Sequence, residues 1–213
     1  MINPDFDLVI FDCDGTLVDS EPITVGVLVK FVAKYGLELE YKDALEMFVG
    51  RDMASIVKYL ESQIGHELPE VFSAEFRERQ ATALRRDLVA IDGAHDLLAS
   101  MKKPFCLASN APQEKIAISL AATRLDAFFT EERTFSAYDI SVWKPQPDLF
   151  LHAAKEMNVD PERCVVIEDS IAGIDAGIAA GMQVIGYAAS PDKQPTDAIP
   201  FVNRLTELID ILA

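Results

Sequence analysis

"DLVIFDCDGTLVDS", Asp7–Ser20, is the stretch whose reading decides the fold. Leu8 to Phe11 form a continuous apolar run rich in β-branched residues, the pattern of a parallel strand buried on both faces. The run delivers two aspartates, Asp12 and Asp14, to a Gly15-Thr16 turn. Like charges that close repel, and a buried carboxylate is costly unless something compensates it. Stability offers no reason for this arrangement, whereas a cation and a reaction do.

Outward from that strand, residues 21–88 read as helix with no strand between. "VGVLVKFVAKYG" stops at Gly36, "YKDALEMFVG" at Gly50 and "MASIVKYLESQIG" at Gly65. "PEVFSAEFRERQATALRRD" opens with Pro69, suited to a first helical turn. Connections inside a βα repeat are normally about 2–6 residues beyond the helix itself, so this segment reads as an inserted helical domain. Afterwards strands and helices alternate. "PFCLAS", "CVVIED" and "MQVIGYA" are strands; "AHDLLASM", "QEKIAISLAATR", "PDLFLHAAKEMN" and "SIAGIDAGIAAG" are helices. The expected fold class is α/β: a Rossmann-like, doubly wound parallel sheet with an inserted helical cap. The expected domains are an α/β core of residues 1–20 and 89–213 and a cap of residues 21–88. Gly173 and Gly177 fall four apart on one helical face, as a helix needs for close approach to the sheet.

Composition excludes several roles. The chain has 213 residues, 19 basic and 35 acidic, for a formal net charge of −16. Nucleic-acid affinity is built on phosphate neutralisation by Lys and Arg, so no nucleic-acid partner is expected. An anionic substrate must be attracted locally, not by the overall field. The small-residue stretch 171–189 is broken by Asp175 and Gln183 and lacks the length of a membrane span. With no signal-type segment at the start, the expectation is a cytoplasmic protein with no membrane partner, taken as a monomer. Cys13, Cys106 and Cys164 read as buried small hydrophobes, and His66, His95 and His152 lack the spacing of a zinc site.

Ligands of a doubly wound sheet bind beyond the carboxyl ends of its strands. Three such ends carry unusual polar residues: Asp12 with Asp14, Ser109 with Asn110, and Glu168 with Asp169. Lys144 joins them, its direction restricted by Pro145. A hard cation suits such a set; Mg²⁺ takes one or two carboxylates and keeps positions for water and phosphate. A carboxylate can also attack phosphorus. Asp12, at the rigid strand end, is best held for in-line attack. Asp14 can protonate the leaving oxygen and then deprotonate water. Gly15 lets backbone amides approach the phosphoryl oxygens, and Thr16 ties down the turn. Ser109 and Asn110 also suit a helix N-cap, as does Ser170. Trp143 suits packing beneath Lys144.

"DCDGTLVDS", "ASN", "KPQPD" and "VIEDS" resemble, in order and spacing, the motifs of the haloacid dehalogenase-like superfamily. The helical insert resembles the small cap of the branch that includes β-phosphoglucomutases and many sugar-phosphate phosphatases. "FSAYDISVWKPQPDLFLHAAKEMNV" resembles the bacterial 6-phosphogluconate phosphatases as a group. The resemblance implies Asp12 as the nucleophile that becomes an aspartyl phosphate and Asp14 as general acid/base. It implies phosphoryl binding by Ser109 and Lys144 with help from Asn110. It implies Mg²⁺ held by the Asp12 carboxylate, the Asp14 carbonyl and Asp169, with Glu168 close by. Gly50 and Arg51 fall where the family places substrate-contacting residues. The dehalogenases lack the second aspartate, so Asp14 points to phosphoryl transfer.

The expected activity is therefore a Mg²⁺-dependent phosphatase for a small phosphorylated metabolite, a sugar or sugar-acid phosphate such as 6-phosphogluconate. Opening and closing of the cap would admit substrate and exclude water. A phosphomutase is the alternative, weakened by Thr24 in "DSEPIT", where the mutases carry a histidine. A phospho-aspartate signalling module is the remote one, since it needs neither the insert nor Asp14. Cys13 lacks the C-x₅-R frame of a tyrosine phosphatase because position 19 is Asp, and no glycine-rich nucleotide motif occurs.

Overall fold

β1, Leu8–Phe11, forms where the β-branched residues concentrate and is buried along its whole length. The computed structural model describes residues 3–49 and 53–212. After β1 come helices α1 Glu21–Val32, α2 Tyr41–Phe48, α3 Met53–Ile64 and α4 Phe72–Asp87. α5 Ala94–Ser100, β2 Phe105–Ser109, α6 Gln113–Thr123, β3 Thr134–Ser136, α7 Ala137–Ile140 and α8 Asp148–Glu156 follow. β4 Cys164–Glu168, α9 Ile171–Ala179, β5 Gln183–Tyr187, β6 Phe201–Val202 and α10 Glu207–Leu212 complete the order.

The sheet runs β3-β2-β1-β4-β5-β6, and every pairing is parallel. β1 pairs with β2 on one side, Phe11 opposite Leu107, and with β4 on the other, Phe11 opposite Ile167. The chain winds outward in opposite directions from this central pair, so the switch point of the sheet lies between β1 and β4. Leu8 and Ile10 pack with Cys106, Val166 and Val184 against Leu149 and Phe150 of α8 and Ile174 of α9. Val9 and Phe11, pointing the other way, are buried as well. Both faces are covered, as the unbroken apolar run requires. This is the Rossmann-like doubly wound sheet that the alternation of elements predicts.

By its internal contacts the chain divides into two compact units, Met1–Val18 with Val89–Ala213, and Asp19–Leu88. The second has its own core, with Phe31 stacked on Phe72 at 5.0 Å and Leu28, Phe48, Leu60 and Phe76 around it. α4 begins at Phe72, not at Pro69; Pro69 sits in the preceding turn, where its carbonyl accepts from the Phe72 amide at 2.8 Å. α6 begins at Gln113 behind Pro112, so Ser109 and Asn110 are not its N-cap. Ser170 does cap α9, accepting from the Gly173 amide at 3.1 Å. No helix among the described residues is long and apolar enough to cross a membrane.

Candidate active site

Asp12 leaves the end of β1 with its amide bonded to the Ile167 carbonyl of β4 at 3.0 Å. The strand pairing thus fixes its backbone at the switch point. The next residues close a tight loop: Leu17 and Val18 donate to the Cys13 carbonyl at 2.9 and 3.0 Å, and Gly15 donates to Val18 at 2.8 Å. The Gly15 amide is therefore committed to the loop. Its residue type also has a steric cause. Gly15 has φ +88°, and a Cβ there would overlap the Asp169 carboxylate. Thr16, fully buried, donates from its hydroxyl to Asp169 Oδ1 at 2.8 Å. The first and last motifs are stitched together by that bond.

Lys144 reaches the same point from the segment between α7 and α8. Its Nζ donates to Asp12 Oδ1 at 2.5 Å, to Glu168 Oε1 at 2.8 Å and to the Ala108 carbonyl at 3.0 Å. The ring beneath this ammonium is Phe150, 4.7 Å to its centroid. Trp143, expected there, is partly exposed and packs edge-on against Tyr138 at 5.4 Å. Burial works against the Lys144 charge, but the Asp12 and Glu168 carboxylates outweigh it and lift its pKa. Asp12 shows the opposite balance. Burial pushes its carboxyl up, to about 8, against the pull of Lys144, and the Glu168 and Asp14 charges push the same way.

Carboxylate oxygens of Asp12, Glu168 and Asp169 all lie within 4.8 Å of one another. Three hard oxygen donors in so small a space, two of them on buried residues, fit a divalent ion of the Mg²⁺ type. Within the trio the donors differ. Glu168 Oε1 accepts from Lys144, and its Oε2 accepts from the Ser170 amide and hydroxyl at 2.8 and 2.9 Å. Glu168, with both of its oxygens so engaged, anchors Lys144. Gly173, expected to bring its helix onto the sheet, instead leaves room for the Glu168 carboxylate, which a Cβ would overlap. Gly177 is the one packed against Val166 and Val184 of the sheet.

Ser109, at the buried end of β2, accepts from the Ala111 amide at 3.1 Å. Asn110 faces the main chain of Lys144: its Oδ1 accepts from the Lys144 amide at 2.9 Å and its Nδ2 donates to the Lys144 carbonyl at 3.4 Å. The side-chain amide acts as a piece of strand and holds the lysine's backbone. Asp14 Oδ2 accepts from Lys115 Nζ at 2.8 Å, with about a fifth of each side chain exposed. Lys115 carries no signal in the sequence, because a lysine in the first turn of an amphipathic helix looks like any solvent-facing one. Gly50 and Arg51 lie outside the described residues.

Residues 6–181 match the haloacid dehalogenase-like hydrolase family. A 6-phosphogluconate phosphatase of Escherichia coli K12 is 37% identical over 201 residues, covering 94% of this chain and 90% of the relative. Hexitol phosphatase A of the same organism is 26% identical, covering 95% and 92%. Among solved structures, a haloacid dehalogenase-like protein of unknown function from Agrobacterium tumefaciens C58 superposes with a TM-score of 0.82 at 32% identity, over 97% of each chain. A hydrolase of the same family from Deinococcus radiodurans R1, with bound phosphate and sodium, gives 0.77 at 30% identity, over 97% and 94%. The switch-point aspartates, the buried lysine and these matches lead to one assignment: the chain belongs to the haloacid dehalogenase-like hydrolases.

Proposed function

We propose that this phosphatase hydrolyses a sugar or sugar-acid phosphate, 6-phosphogluconate foremost, through a covalent intermediate on Asp12. The observation that carries the reading is the buried contact of Asp12 with Lys144 beside Glu168 and Asp169. Asp12 attacks phosphorus, and the bond to the leaving alkoxide breaks as that oxygen takes a proton from Asp14. Asp14 then removes a proton from water, whose oxygen attacks the aspartyl phosphate, freeing inorganic phosphate and restoring Asp12. Lys144 places its positive charge beside the oxygen of Asp12 and so beside the charge that develops on the transferring group. Ser109, with its hydroxyl at the end of β2, is assigned to the phosphoryl group as well. Mg²⁺, held by Asp12 and Asp169 with the Asp14 carbonyl, would neutralise phosphoryl charge and let the carboxylates share the pocket ionised.

The named phosphatase relative supports 6-phosphogluconate as the substrate. We assign substrate selection to the helical segment 21–88, with Gly50 and Arg51 as its contacts, in a monomeric cytoplasmic enzyme. Thr24 accepts from Gln80 at 2.9 Å within the helical unit and offers no imidazole, which supports water over a sugar as the final acceptor. The test is phosphate release from a panel of phosphorylated metabolites, with and without Mg²⁺, for the wild type and Asp12→Asn. Metal-dependent turnover of sugar-acid phosphates is expected, with at least a ~10⁴-fold loss in the variant. Appreciable metal-dependent activity in Asp12→Asn would refute the nucleophile, and an isomerised sugar phosphate in place of free phosphate would make the enzyme a mutase.

A further inference from the structure

We infer that Lys115 is a positioning residue that fixes the Asp14 carboxylate for proton transfer to the leaving group. The inference rests on the acid/base role proposed for Asp14. It starts from an ion pair bridging 101 positions of sequence, Lys115 Nζ to Asp14 Oδ2 at 2.8 Å. The two ends of this bridge are unequal in what they leave undetermined. The backbone of Asp14 is set by its loop, since Gly15 bonds to Val18 and Leu17 to Cys13. That loop says nothing about the rotamer of the aspartate side chain.

The lysine end is built to hold a position. The Lys115 and Ile116 amides both donate to the Pro112 carbonyl, at 2.9 and 3.1 Å, so the first turn of α6 is closed. Gln113 donates to the Thr134 carbonyl at 3.1 Å and to Asp139 Oδ2 at 2.8 Å, and Ser136 donates to the Ala111 carbonyl at 2.6 Å. Ile116 is buried beside Lys115. The lysine stem therefore leaves an anchored helix start, and its ammonium meets Asp14 where only about a fifth of either side chain is exposed. A pair so shielded from water is screened less than a surface pair and can hold a geometry. Each of the two aspartates thus has its own lysine. Lys144, sealed, faces the attacking carboxylate, and Lys115, at the rim, aims the carboxylate that moves protons.

A general acid matters most when the leaving oxygen is a poor one. The step that breaks the ester bond is read by kcat/KM, so Lys115→Met should penalise alkyl and aryl phosphates unequally. The experiment compares 6-phosphogluconate, or failing it the alkyl phosphate turned over fastest, with p-nitrophenyl phosphate, using full-length wild type, Lys115→Met, Lys115→Arg and Asp14→Asn. The expected result is an alkyl-to-aryl ratio of kcat/KM lowered about tenfold in Lys115→Met and largely restored in Lys115→Arg. An unchanged ratio in Lys115→Met, or equal rises of KM on both substrates, overturns the inference and makes Lys115 a structural or direct substrate contact. Asp14→Asn separates the two failures. If it lowers the ratio while Lys115→Met does not, the acid/base reading stands and the positioning role falls; if neither lowers it, the acid/base reading falls first. Should Lys115→Met unfold, Lys115→Gln carries the same comparison.

Discussion

Asp12 is held in a state that favours the neutral acid until something positive joins Lys144. Its carboxyl is raised from 3.8 to about 8, burial being the main cause. The sign of the stability effect follows. Below about 4 both folded and unfolded chains carry the proton. Between there and about 8 the unfolded chain has lost it and the folded chain keeps it, so raising the pH removes stability; above 8 the loss is complete. In metal-free protein, Asp12→Asn should therefore gain on the wild type by about 1 kcal/mol per pH unit through that window and then level off. Thermal melts from pH 5 to 9 measure the gap. Adding Mg²⁺ at pH 8 should close it, because the ion favours the ionised carboxylate only in the wild type. A gap that narrows with rising pH would contradict the account.

The elements around β2 act as a frame for one lysine. Asn110 extends the strand by a side chain, gripping both the amide and the carbonyl of Lys144. If its effect passes wholly through Lys144, Asn110→Ala should lower kcat/KM about tenfold in the wild type and very little once Lys144 is alanine. That corresponds to a coupling of about 1–2 kcal/mol in a double-mutant cycle. Additive losses would instead give Asn110 its own contact with the substrate. This is a role that the sequence could not show. "ASN" at a strand end marks Asn110 as interesting, but whether its amide faces a ligand or a neighbouring backbone depends on a contact 34 positions away. β3 and β6 were illegible for a different reason. They are three and two residues long, too short to display any periodicity. β1, β2 and β4 were legible because four or five consecutive buried residues leave no other reading.

At the scale of the whole molecule, charge opposes the proposed substrate. A net charge of −16 repels an anionic phosphate ester at long range, while Lys144 and Lys115 attract it only at short range. Raising ionic strength from about 0.01 to about 0.1 M shortens the screening length from about 30 to about 10 Å, which weakens the first effect more than the second. kcat/KM for a sugar phosphate should therefore rise with salt, by up to about threefold, when Mg²⁺ is saturating. A fall would mean that local cations govern the approach from far out. The acidic composition was readable in the sequence itself. That Lys115 stands near the site was not, because Lys115 and Asp14 meet only through the fold.

The chain leaves the α/β unit after Val18 and re-enters it at Val89. Val18 bridges to Ala90, and the Ile91 amide donates to the Leu17 carbonyl at 2.9 Å, so the points of exit and return are adjacent. A segment whose ends already touch can be lengthened, shortened or exchanged at little cost in loop closure. The strand ends that carry the chemistry need not notice. Such a junction is a socket: one hydrolytic base can be inherited unaltered while successive plug-in segments give it new preferences.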